Sequence, residues 1–290
     1  MNTQTIARQL PMPGIRFSLG TRRSRTLCLV IFCLTIFVGL FLWAWLVGEN
    51  GLAVNFTQRN QPPSWDHPFG TDWLGRDMLV RTIKGLRISL GIGMAAALSS
   101  TVFALALGLA AATLGRHVDL VVTGMIDVVI STPHLVMLIL ISFSMGGGVV
   151  GIIMAVALSH WTRLARIVRA EIMQLKTADY VRLSRRLGRK PLWIARHHLL
   201  PNLLPQFLVG LILLFPHAIM HAAGLTFLGF GLPPHMPAIG VLLSEAMRHI
   251  STGYWWLAVA PGVALLFFVK LFDLLGGALR MLTAPKTSQE

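Results

Sequence analysis

Acidic residues are scarce in this chain. Only 11 of its 290 residues are Asp or Glu, and with 25 Lys and Arg the charged fraction reaches 12%, against about 25% in a soluble domain. Most of the exterior must therefore face something other than water, which excludes an ordinary soluble globular domain. Cysteine is nearly absent too. Cys28 and Cys33 stand five apart in one apolar stretch, a spacing that suits neither a disulfide across one helix nor a metal site. Redox chemistry is excluded with them. No G-x-x-x-x-G-K-S/T phosphate loop occurs, so ATP is not bound by that route. The few acids are scattered rather than convergent, which argues against a membrane enzyme. No segments pair as the inverted repeats that a stand-alone secondary transporter would need. Repeats of roughly 20 to 50 residues are missing as well.

What is abundant is apolar or basic. Apolar residues make up 54% of the chain, the mean hydropathy is +0.68 and the formal net charge is +14. Charge alone would suggest nucleic acid, but in so apolar a chain, basic loops held on the cytoplasmic side of a membrane explain it better. Residues 27–47 (LCLVIFCLTIFVGLFLWAWLV) are apolar throughout, and at about 1.5 Å per residue they cross the roughly 30 Å hydrocarbon layer. The stretch is too long for a signal peptide and no small-x-small cleavage site precedes Glu49, so it reads as an uncleaved anchor. Further spans at 88–114, 118–143, 149–169, 202–225 and 254–279 make six. The expected fold is an all-α integral membrane protein with six transmembrane helices.

Ala104, Gly108 and Ala112 recur every four residues, as do Gly91, Ala95 and Ser99, a pattern that lets helices approach closely in lipid. Pro133, Pro205, Pro216 and Pro261 interrupt spans, and each removes a helical hydrogen bond, so kinked, mutually packed helices are expected. With the N-terminus inside, 18 of the 25 basic residues fall on inner segments and six on outer ones, with Lys270 in the last span. Both termini are thus expected in the cytoplasm, and topology accounts for the charge without nucleic acid. The resulting organisation is an N-terminal segment 1–26, a six-helix domain 27–284 with outer segments 48–87 and 226–253 and an inner loop 170–201, and a tail 285–290.

The inner loop is the most informative segment. Ten basic residues crowd positions 163–196. Thr177 is placed to cap a helix, Asp179 falls in its first turn, where the dipole favours negative charge, Gly188 supplies a stop and Pro191 opens the next segment. Tyr180, Leu183 and Leu187 share one face of that helix, and Arg182, Arg185, Arg186 and Arg189 cover the others. Such a helix lies on lipid, packs on its own bundle or docks into a partner's groove, and periodicity alone leaves all three open.

Asp179–Gly188 (DYVRLSRRLG), followed after twelve residues by Pro201-Asn202, resembles the coupling loop of ATP-binding cassette (ABC) importer permeases of the dipeptide/oligopeptide/nickel family. Residues 67–77 (HPFGTDWLGRD) resemble that family's HPLGTDxLGRD signature, and 228–234 (LGFGLPP) its FLGLGLPP segment. Trp255-Trp256-Leu257, Pro261-Gly262 and 274–280 (LLGGALR) resemble its closing helix. The resemblance implies a type I ABC importer permease fold in a bacterial inner membrane. It also implies a non-catalytic subunit without cofactor, working with a second permease as a heterodimer, two ATP-binding cassette ATPase subunits, an extracytoplasmic solute-binding protein and membrane lipid. It assigns ATPase coupling to Asp179, Tyr180, Arg182, Leu183, Ser184, Leu187 and Gly188, with Leu183-Ser184 standing where the family has Ala-Ala. ATPase closure would then pull the 178–188 helix and rock the bundle between inward-open and outward-open states.

Ser159-His160-Trp161, and His217, Met220 and His221 with Ala223-Gly224, resemble the C-type permease of the nickel importers, the branch that carries nickel or a metal chelate; the alternative is a permease for di- or oligopeptides. His217 and His221 are four apart and share a helical face, with Met220 adjacent. Imidazole and thioether offer weak, transient contacts to a borderline cation, and firm ligation is unsuited to a transporter. His160, His217, Met220 and His221 are therefore the candidate pathway residues, and no fixed metal ligands are assigned. Asp127 has no partner legible in the sequence. Lys270 and Asp273, three apart, can neutralise each other. The 67–77 block reads as a surface helix bracing spans one and two, or as part of a platform for an external binding protein.

Overall fold

The structure is a computed structural model that describes residues 22–48 and 51–283. The expected N-terminal segment 1–26 lies outside these residues as far as residue 21, and the tail 285–290 lies outside them entirely. The helices run in order α1 (Arg22–Leu46), α2 (Met78–Thr113), α3 (Arg116–Ser131), α4 (His134–Ser144), α5 (Gly148–Leu175), α6 (Asp179–Arg186), α7 (Pro191–Ile194), α8 (Leu200–Phe227), α9 (Ile239–Met247) and α10 (Trp256–Thr283). Helices α1, α2, α5, α8 and α10 are long and apolar enough to cross a membrane. Helices α3 and α4 pass the same test only together, bent by 105° at the break between them, so the described residues hold five such helices, or six if the pair is one span.

That bend exceeds the kink expected of a single span at 118–143. Thr132 takes an extended backbone (φ −84°, ψ 136°), as a residue before proline tends to, and Pro133 has no amide hydrogen with which to continue the helix. Helix α2 also departs from expectation, starting at Met78 rather than near 88. Asp77 caps it, accepting from the Leu79 and Val80 amides at 2.8 and 3.1 Å. Its 36 residues reach about 54 Å, well beyond the hydrocarbon layer.

Small residues set the packing of α2. Ala96, Ala97, Ser100, Thr101, Ala104, Gly108 and Ala112 are buried. A side chain at Gly108 would meet the Ala165 carbonyl of α5 at 2.9 Å, and one at Gly93 would meet Ile219 of α8 at 2.9 Å. The Ala104, Gly108, Ala112 stripe lies at the seam. The Gly91, Ala95, Ser99 stripe does not: Gly91 faces open space, and Gly93 makes the close approach instead. Helix α1 buries Cys33, Phe37, Leu40 and Ala44, with Phe37 edge-on to Phe268 and Phe272 of α10 at 5.5 and 5.1 Å.

The 67–77 block is not a helix, but it does tie the chain just after span one to the start of α2, the Asp77 amide donating to the Gly51 carbonyl and the Asn55 amide to the Leu74 carbonyl, both at 3.0 Å. It folds into a knot of turns whose glycines are required: a side chain at Gly75 (φ +76°) would overlap the Asn55 carbonyl, and one at Gly70 (φ +69°) would strike Trp256 at 2.8 Å. Asp72 is buried and accepts from the amides of Leu74 and Arg76, from Arg76 Nε at 2.7 Å and from Arg81 Nη1 at 2.7 Å. Arg81 also donates to Glu245 of α9 at 2.8 Å, and Trp256 Nε1 donates to the Thr71 carbonyl at 3.2 Å. The knot therefore clamps α2 to α9 and α10.

Candidate functional site

Two arrangements stand out, one at each end of α8. The first is the loop helix α6. Its residue before the first turn is Ala178, which makes no side-chain cap. Thr177, expected to cap α6, donates instead to the Gln174 carbonyl at 2.7 Å and so finishes α5. The far end follows expectation: Gly188 is left-handed (φ +76°), its amide donates to the Arg185 carbonyl at 3.0 Å, and the Arg189 amide donates to Ser184 at 3.1 Å, the glycine-terminated helix end.

Helix α6 is held from one side only. Val181 is fully buried, whereas Tyr180, Leu183 and Leu187 are 44%, 57% and 72% exposed. An apolar side chain left in water is unremarkable singly; here three stand exposed along one face of a charged helix. Asp179 and Arg182 are exposed beside them. Ser184 faces the bundle, donating to the Tyr180 carbonyl at 2.9 Å and lying 2.9 Å from His198 Nε2. His198 also meets the Tyr180 and Trp193 rings at 5.4 and 5.3 Å. Lys176 ties the loop to the end of α2, donating to the Ala112 carbonyl at 2.6 Å; burial, and then the charge of Arg185, hold its ammonium below the usual lysine pKa.

The second arrangement is a histidine cluster. His134 at the start of α4, His160 on α5 and His221 on α8 have ring centroids 4.7, 4.8 and 4.9 Å apart, and their ligand nitrogens lie within 4.8 Å of one another. All three are half-buried. His160 Nδ1 sits 3.1 Å from the Val156 carbonyl and 2.8 Å from Ser159 Oγ. Donation from Nδ1 to the carbonyl leaves the lone pair on Nε2.

Of the four histidine and methionine positions expected on a pathway, His160 and His221 come together. His217 does not join them: it is exposed and its Nδ1 donates to Leu213 of its own helix at 3.2 Å. Met220 is 42% exposed, next to His221 in sequence but outside the ring contacts. His134 went unread in the sequence, although its place directly after Pro133 in an apolar span was the available signal. Asp127 finds its partner in Arg166 of α5 at 2.6 Å, both side chains being exposed. Lys270 and Asp273 approach to 3.9 Å.

Comparison with known proteins completes the picture. Residues 104–281 match the family described as "Binding-protein-dependent transport system inner membrane component". The chain is similar to the dipeptide transport system permease protein of Bacillus subtilis, 35% identical over 87% of this chain and 79% of that one. It is also similar to the nickel transport system permease protein of Escherichia coli, 32% identical over 92% of this chain and 95% of that one. A chain of the inward-facing MetNI methionine ABC transporter shares the fold, with a TM-score of 0.58 at 19% identity over 71% of this chain and 98% of that one.

Proposed function

Because the chain belongs to the family of binding-protein-dependent inner membrane transport components, among the ABC importer permeases of the dipeptide/oligopeptide/nickel group, we propose that it forms half of a heterodimeric pathway for a peptide-sized solute. As a non-catalytic membrane subunit it draws its energy from separate ATPases. The observation that carries the proposed coupling is α6: a helix anchored by buried Val181 that presents Leu183, Leu187 and the exposed part of Tyr180 outward. The coupling residues Asp179, Tyr180, Arg182, Leu183, Ser184, Leu187 and Gly188 are all on it or at its glycine stop. Leu183, larger than the family's alanine, extends the docking face, and Ser184 ties α6 to His198.

The basic excess supports both termini and segment 170–201 on the cytoplasmic side of the bacterial inner membrane, with 48–87 and 226–253 outside toward a solute-binding protein. A dipeptide or oligopeptide cargo agrees with relatives named for those substrates. Nickel or a metal chelate is the second reading, favoured by the convergence of His160 and His221 with His134.

Leu183→Glu or Gly188→Glu is expected to leave membrane insertion intact while uncoupling ATP hydrolysis from uptake, lowering uptake per ATP about tenfold or more. Transport and ATPase assays on vesicles containing the chain and its co-expressed operon neighbours test this. Uptake at the wild-type ratio in both variants would remove the coupling role from α6. Competition between labelled dipeptide and labelled nickel in the same vesicles separates the two cargo readings.

A further inference from the structure

Three imidazoles meeting at membrane depth select a particular ligand chemistry. His134, His160 and His221 come from three different helices, so the fold and no local turn brings them together. The group contains no carboxylate, and neutral nitrogen donors suit borderline divalent ions such as Ni²⁺, Co²⁺ and Zn²⁺ rather than Ca²⁺ or Mg²⁺, which take oxygen. Two further features point the same way. Non-helical backbone at membrane depth is tolerated only inside protein or beside a water-filled cavity, and the break at Thr132-Pro133 sits directly before His134. His160, through the Val156 carbonyl, already presents Nε2 as its lone-pair nitrogen.

Spacing also sets how tightly an ion would be held. Metal–nitrogen bonds of about 2.0–2.1 Å place tetrahedral ligand nitrogens about 3.4 Å apart. Here the spread is up to 4.8 Å, so the rings must draw inward to close on an ion. A closed structural site would be preformed; an open one lets go.

We infer that His134, His160 and His221 form a transient coordination station for a borderline divalent cation, with its remaining positions open to water or to a chelating ligand carried with it. The inference rests on the chain lining a translocation pathway. The test uses the full chain purified with its co-expressed partner subunits through a tag free of histidine. Titration with Co²⁺ is expected to show one ion per copy of this chain with the visible absorption of a nitrogen-bound ion. His134→Gln, His160→Gln and His221→Gln should each weaken binding by at least the roughly 10–100-fold that loss of an outer-shell partner costs, while His117→Gln, exposed at the start of α3, should leave it within about twofold. Assembly with the ATPase subunits reports that each variant has folded. Nickel K-edge absorption on the unmutated complex counts imidazoles at the ion without any variant; three are expected, and fewer overturn the assignment. If no ATPase co-purifies, the importer reading fails. If it co-purifies and Co²⁺ binding is absent or indifferent to the three substitutions, the coordination station alone fails.

Discussion

Arg81 holds two carboxylates at once, Asp72 at 2.7 Å and Glu245 at 2.8 Å, with its own side chain 4% exposed. Removing one partner of a buried ion pair strands the other charge and costs about 3–5 kcal/mol. Arg81→Met is therefore expected to lower the thermal unfolding midpoint in detergent markedly, and exposed Arg248→Met hardly at all; equal shifts would mean that the clamp contributes no stability. Residue by residue, the sequence was an uneven guide. Gly188 and Asp179 stand where periodicity and capping rules put them, because those rules act over a single turn. Asp127 and Arg166 are 39 positions apart, and His134 lies far along the chain from both of its ring partners, so only the assembled bundle reveals these contacts. Thr177 bonds back to Gln174 of α5 instead of capping α6.

At the scale of elements, the spans were legible because unbroken apolar runs of membrane-crossing length have few alternatives. Their shapes were less so. Proline announced an interruption at 133, but whether a span kinks or breaks depends on what the neighbouring helices supply at the gap. Pro133→Ala restores the missing amide hydrogen and relaxes the restriction on Thr132. It is expected to straighten α3 and α4 toward one helix and carry the His134 ring off its partners. The measurable result is Co²⁺ binding weakened about tenfold with the ATPase assembly retained; unchanged binding would show that the bend is held by packing alone. The outer block reads as a surface helix because Phe69, Trp73 and Leu74 mix with polar residues, while its left-handed glycines at 70 and 75 favour turns over a helix.

Across the whole molecule, polar groups recur on α3, α5 and α8. His160, Arg163 and Arg166 follow one another along α5, Asp127 of α3 pairs with Arg166 there, and exposed His217 and Met220 lie on α8. Charges at membrane depth turn toward protein or water rather than lipid, so these groups are expected to meet a protein neighbour or water. Cysteine introduced at Met220, in a chain with Cys28 and Cys33 replaced, should react with a membrane-impermeant thiol reagent at rates that change when ATP is added. Cysteine at Val263, an exposed apolar site on α10, should stay unreactive in both conditions. Matching rates at the two positions would place these polar groups against lipid.

Residues 191–227 run without a gap from α7 through a π-turn at 195–199 into α8. His198 on this rod touches Ser184 of α6, and His221 lies 23 residues further on, about 35 Å away along the axis. One rod thus joins the proposed docking face to the imidazole cluster. Linkage makes the traffic two-way: if nucleotide-driven movement of α6 changes the affinity of the cluster, an ion in the cluster must shift nucleotide affinity by the same factor. Cargo then acts as a reporter to the ATPases, and an empty pathway and a loaded one should bind ATP differently.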